Sequence, residues 1–174
     1  SSSANNSATA SIISSEPVLD VSVTLLTSGA AVDDGDSVRY QIQVSHRQSP
    51  AADFSQASAY NVALTDALPA ILTSPSIASA TISDGATTSD VSGAFAIVGG
   101  ELKNTSPLSL LLNSNGTSDQ TLTIIVEGRV ADSVAPGATI SNSATVTWEN
   151  ETGFRRESYT ASGAAPPISV PGAL

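Results

Sequence analysis

The sequence predicts an all-β fold, an antiparallel β-sandwich preceded by an extended N-terminal strand arm. Three observations carry this. Apolar and polar residues alternate in run after run, glycine and proline fall mainly between those runs, and no segment of useful length shows a helical period. Many short strands separated by turns pack as two facing sheets. A chain poor in aromatic and charged residues and rich in Ser, Thr, Ala and Val suits exposed β-structure better than a helical enzyme.

The elements follow in order. Leu19, Val21, Val23 and Leu25 share one face of a strand, with Asp20, Ser22 and Thr24 on the other. After the turn residues Asp33-Asp34-Gly35-Asp36, a second strand sends Val38, Tyr40, Ile42 and Val44 inward and Arg39, Gln41, Gln43 and Ser45 outward, so the pair reads as a hairpin. Residues 46–58 form a polar loop, and Tyr60, Val62 and Leu64 then alternate up to Asp66-Ala67-Leu68-Pro69. Further strands are expected at 76–83, 94–98, 108–112, 120–130 and 139–149, with a return strand at 154–162. A short helical turn is tolerable only at 67–72 or 108–112. Each buried Val, Ile or Leu contributes roughly 1.5–3 kcal/mol, so such a core suffices without disulfides.

The chain of 174 residues divides into an arm at 1–15, a sandwich at 16–162, and a Pro-rich linker or terminal arm at 163–174. The absence of methionine suggests a processed form or an excised piece. With no cysteine, disulfides, thiolate metal sites and cysteine nucleophiles are excluded. A formal net charge of −10 with only six Lys and Arg gives no footprint for nucleic acid or an anionic membrane, and no apolar run is long enough to insert into a bilayer.

One phrase occurs twice. Asn6-Ser7-Ala8-Thr9-Ala10-Ser11-Ile12 returns about one domain length later as Asn142-Ser143-Ala144-Thr145-Val146-Thr147-Trp148. The first copy is either the last strand of a preceding repeat or a donor strand that completes the sheet of a neighbouring subunit. The uncharged alternation of Ala8, Thr9, Ala10, Ser11, Ile12 and Ile13 suits insertion beside a partner strand, because no charge is buried; a disordered leader is the competing reading.

Three phrases together resemble a conserved repeat domain, of unknown function, in bacterial and archaeal cell-surface proteins. They are Asp34-Gly35-Asp36-Ser37-Val38-Arg39-Tyr40-Gln41-Ile42-Gln43-Val44, Tyr60-Asn61-Val62-Ala63-Leu64-Thr65-Asp66-Ala67-Leu68-Pro69, and Ile140-Ser141-Asn142-Ser143-Ala144-Thr145-Val146. The likeness covers roughly 16–149 and departs from the family at loop 45–58, where a short turn is usual. It implies an immunoglobulin-like sandwich in an extracellular cell-surface adhesin or filament, with no enzymatic activity to carry over.

Candidate chemistry is sparse. The single histidine, His46, would have to serve as base for any serine hydrolase, and no nucleophile motif accompanies it, so no catalytic residue is assigned. Asp33, Asp34 and Asp36 offer oxygen ligands for calcium, with Asp66 joining only if the fold brings it near; the plainer reading is a turn whose aspartates accept backbone hydrogen bonds. No other cofactor is implied. Lys103, the sole lysine, is a weak candidate for an internal isopeptide crosslink and reads better as solvated beside Glu101. Asn5, Asn104, Asn115 and Asn150 open glycosylation sequons. Trp148 and Tyr159 lie on two arms of one expected hairpin as candidate glycan contacts, although a lone Trp in a sandwich is more often core.

The leading reading is a non-enzymatic structural module assembling by strand donation from residues 7–13, its partners identical subunits or flanking repeats. The alternative is a module that binds a glycan or protein ligand through loop 45–58 and the strand ends.

Overall fold

In the computed structural model the described residues are 15–29, 31–48, 55–112, 118–151 and 157–171. β1 (Leu19–Leu25) and β2 (Ser37–His46) form the expected hairpin, with Leu19 opposite His46 and Leu25 opposite Tyr40. β3 (Ala59–Ala67) begins the second sheet, and β4 (Leu72–Ser83) returns to the first. β4 starts at Leu72 instead of 76 because a tight turn, closed by Leu72 N–H on the Pro69 carbonyl at 2.9 Å, stands where a helical turn was tolerated. A bulge between Thr73 and Ser76, with Ser74 at φ 49°, shifts the strand's phase and hides its first residues from an alternation count.

β5 (Thr88–Asp90) pairs with β4, and a 3-10 turn at Ser92–Ala94 crosses to β6 (Phe95–Val98), which pairs with β7 (Glu101–Asn104). β8 (Leu108–Leu110) is a strand and not a helical turn; it is followed by β9 (Thr121–Val130). The expected strand 139–149 is broken into β10 (Thr139–Ile140) and β11 (Ser143–Glu149), because Asn142 between them turns its side chain into the core. β12 (Ser158–Ala164) pairs with β11 along its whole length, later than the expected 154–162, and β13 (Ile168–Ser169) pairs with β10.

The first sheet runs β1-β2-β9-β4-β5, and the second runs β12-β11-β3-β7-β6 with β8 also on β3. The strand pairs are antiparallel, and their inner rows meet in one core. Val38, Tyr40, Ile42 and Val44 of β2 and Leu122, Ile124 and Val126 of β9 face Val62 and Leu64 of β3 and Val146 and Trp148 of β11, all buried. The tail at 163–171 is docked: Ala165, Ile168 and Val170 are buried, and Val32 N–H donates to the Ser169 carbonyl at 3.1 Å. Its prolines conceal this in the sequence, since Ile168 and Val170 alternate over too short a run to read as a strand.

Register also fixes where the chain enters and leaves the sandwich. The pole holding His46, Tyr60 and Glu149 receives residues 15–18, for Trp148 Nε1–H donates to the Pro17 carbonyl at 3.0 Å. The opposite pole, holding Tyr40, Asp66 and Ala144, carries residues 165–170. The two sheets close on each other where β1 meets β12. A Cβ on Gly163 would lie 2.3 Å from the Val21 carbonyl oxygen, so backbone packs on backbone there. Gly163→Ala is expected to cost about 1–3 kcal/mol or more, read as a lowered urea midpoint, because neither strand has a flexible side chain to give way. Gly93→Ala, whose Cβ would meet nothing within 4 Å, serves as the control and should shift it little.

Candidate functional site

Alternation that places Val38 to Val44 inward carries one step further to His46, the rows of Val62 and Leu64 reach Asp66, and those of Trp148, Val146 and Ala144 reach back to Asn142. All three terminal positions are polar and buried. They form two interior sites, one at each pole.

At the entry pole, His46 Nε2 lies 3.0 Å from the Leu110 carbonyl and Nδ1 lies 2.7 Å from Ser55 Oγ. A carbonyl only accepts, so the proton sits on Nε2 and Nδ1 accepts from the Ser55 hydroxyl. Ser55 Oγ in turn accepts Val18 N–H at 3.1 Å. Serine and histidine are therefore in contact, but both are buried and both ring nitrogens are committed to the fold. The pair staples the entering chain to β2 and β8. Gln56 N–H on the Glu16 carbonyl at 2.9 Å and Arg47 N–H on the Val18 carbonyl at 2.8 Å complete the attachment.

At the exit pole, Asn142 Nδ2–H donates to Asp66 Oδ2 at 2.8 Å. Burial pushes the Asp66 carboxyl up to about 6, against the opposing pull of the Asn142 hydrogen bond. Burial, with the Asp66 charge second, pushes the nearby Tyr40 hydroxyl up to about 12.

The remaining candidates separate. Trp148 is buried, with its N–H spent on Pro17 and its ring stacked on Tyr159 at 5.8 Å and 15°, so it is a core residue and not a glycan platform. Tyr159 is half-buried, its hydroxyl donating to Glu157 Oε2 at 3.0 Å. In the turn before β2, Asp36 Oδ2 accepts Asp33 N–H at 2.8 Å and Asp36 N–H donates to the Asp33 carbonyl at 3.1 Å, around Gly35 at φ 78°. Among the described residues no three His, Asp or Glu converge to hold a metal ion, and Asp66 is taken up by Asn142. Lys103 is half-exposed on the outer face and pairs with Glu101 at 3.3 Å, away from the buried Asp66–Asn142 pair. Asn104 spends its carboxamide on Leu64 N–H and the Val62 and Ser106 carbonyls, bonds that a glycan there would disrupt. Asn150 Oδ1, just after β11, accepts Glu157 N–H at 3.0 Å. Asn5, Asn115 and the assembly segment Ala8–Ile13 lie outside the described residues.

No family model matches the chain, and no curated protein does. Solved structures do. A group B streptococcus pilus 2b backbone protein aligns over 86% of this chain and 56% of its own, at 16% identity and a TM-score of 0.51. The 35 kDa C-terminal fragment of the major pilin GBS80 of Streptococcus agalactiae aligns over 90% of this chain and 56% of its own, at 16% identity and a TM-score of 0.50. The chain is an immunoglobulin-like β-sandwich. At such identities the likeness is one of fold. The chain spans only 40% of BcpA, the major pilin subunit of Bacillus cereus, at 15% identity and a TM-score of 0.48.

Ser55→Ala leaves a buried imidazole nitrogen without a donor and Val18 N–H without an acceptor. It should cost about 1–3 kcal/mol in chemical denaturation. Burial, the largest influence, lowers the His46 pKa below its ordinary 6.5 even though the Leu110 carbonyl and Asp119 push it up. The folded state thus favours neutral imidazole. That stability is complete above pH about 6.5 and is lost as pH falls through the depressed folded value. In an Asp66→Asn background, which removes the opposing carboxyl titration, acidification below pH about 6.5 should lower the urea midpoint. Adding His46→Gln should remove that part of the dependence.

Proposed function

We propose that this chain is a non-enzymatic structural module of an extracellular filament or adhesin on a prokaryotic cell surface. The observation that carries the reading is the exit of the chain at the pole opposite its entry, with both ends stapled to the sandwich. That geometry suits a bead strung end to end and loaded along its strands. Pilus backbone proteins among the solved structures of the same fold agree with it. So does the commitment of the single histidine to structural hydrogen bonds.

Assembly proceeds through residues 7–13, which add as a strand to a neighbouring subunit. Their composition meets the requirement, since no charge is buried when Ala8-Thr9-Ala10-Ser11-Ile12-Ile13 pairs with a sheet edge. A second reading is favoured by β11, the strand that residues 6–12 echo. It is bonded on both sides, to β3 and β12, so that place is already filled in this module. The echo then marks the closing strand of a preceding repeat, and the module works in a tandem array.

Negative-stain electron microscopy across a concentration series separates the two. Strand donation predicts fibres that vanish when residues 1–14 are deleted while the body stays folded. Monodisperse particles at every concentration would overturn strand donation and leave the array.

A further inference from the structure

Three buried oxygen atoms at the exit pole have no hydrogen-bond partner: the Tyr40 hydroxyl, Asp66 Oδ1 and Asn142 Oδ1. They come from β2, β3 and the β10–β11 break, and the Asn142 Nδ2–Asp66 Oδ2 bond joins two of the groups edge to edge. An ionised Asp66 would leave acceptor-only oxygens buried beside one another, with no cation among the described residues to compensate. A proton on Asp66 Oδ1 changes that count, turning one orphan acceptor into the donor that the Asn142 oxygen lacks.

We propose that Asp66 is carried as a neutral carboxylic acid paired reciprocally with the Asn142 carboxamide, and that losing its proton to solvent loosens the docked C-terminal arm. The link to the arm is short and runs through the Asn142 backbone. The Asn142 backbone carbonyl accepts Ala165 N–H at 2.9 Å, and beyond it β10 holds β13 while Val170 N–H donates to the Ala138 carbonyl at 2.8 Å. Among the described residues, the groups facing Asp66 leave no counter-charge. Its ladder partners are Leu102 on β7 and Ala144 on β11, Leu25 of β1 stands opposite Tyr40, and the Tyr40 hydroxyl is a titratable group that senses the carboxylate.

The sign follows from linkage. A carboxyl raised from 3.8 to about 6 lends stability that is complete below pH about 3.8 and is lost as pH rises through about 6. The arm is therefore tightest in mild acid and loosest above neutrality.

The test uses the whole chain. Carbon-detected NMR of the Asp66 carboxyl should show a midpoint near 6 instead of 3.8. Protection of the Ala165 and Val170 amides, corrected for intrinsic exchange, should fall by up to about tenfold as pH rises from about 5 to about 8. Asp66→Asn places an amide where the acid stood, donating to the Asn142 oxygen and accepting from its nitrogen; its arm protection, corrected for intrinsic exchange, should not fall as pH rises from about 5 to about 8. An Asp66 midpoint at the ordinary value would overturn the proposal. So would arm protection unchanged through the titration, or a fall in protection with rising pH that survives in Asp66→Asn.

Discussion

The sandwich depends on the pairing of β2 with β9, unbroken from Ser37 opposite Arg129 to Ser45 opposite Thr121. Because side chains alternate along a strand, this one register puts Tyr40, Ile42 and Val44 beside Val126, Ile124 and Leu122 on the same inner row. A slip of one residue would send Arg39, Gln41 and Gln43 inward and abolish the core. β1 is hung on one side of this pair and β4 on the other, and β4 needs two bulges to follow β9. The second sheet is then positioned by the apolar rows it must cover.

The same alternation explains what could be read from the sequence. β1, β2, β3, β9 and β11 were legible because each holds its phase over several residues. His46, Asp66 and Asn142 sit in phase at the ends of inner rows, but from sequence His46 falls in a polar loop and Asp66 stands as a possible calcium ligand, so neither their burial nor their partners were legible. Ser55 and Leu110, far apart in sequence, meet His46 only through the fold. The start of β4 was hidden by the Ser74 bulge, and β5, β7 and β13 are too short to show a period. The tail misled through its prolines, which here shape a docked segment and not a free one. Trp148 was ambiguous for a different reason: only the position of Pro17 reveals that its N–H is spent inside.

The polar interior is arranged by pole. At the entry pole His46 and Ser55 satisfy each other and hold residues 16–18; at the exit pole Asp66 and Asn142 stand beside the segment that holds 165–170. Each end of the module is thus anchored by a buried polar group whose removal leaves a partner unsatisfied, a stronger constraint than a surface ion pair. Gly163 against Val21 adds a steric seal between the strands nearest the two ends. Together these place resistance where a filament or array would load the chain.

Single-molecule force spectroscopy tests that account most directly, comparing two attachment geometries on the same body. Pulling between residues 16 and 170 loads β1 and β12 along their lengths, so several ladder hydrogen bonds must break together. Pulling between residues 16 and 48 unzips the β1–β2 hairpin from its open end, one pair at a time. The account predicts a clearly higher rupture force for the end-to-end geometry. An end-to-end force equal to or below the unzipping force would contradict a tension-bearing role for this module.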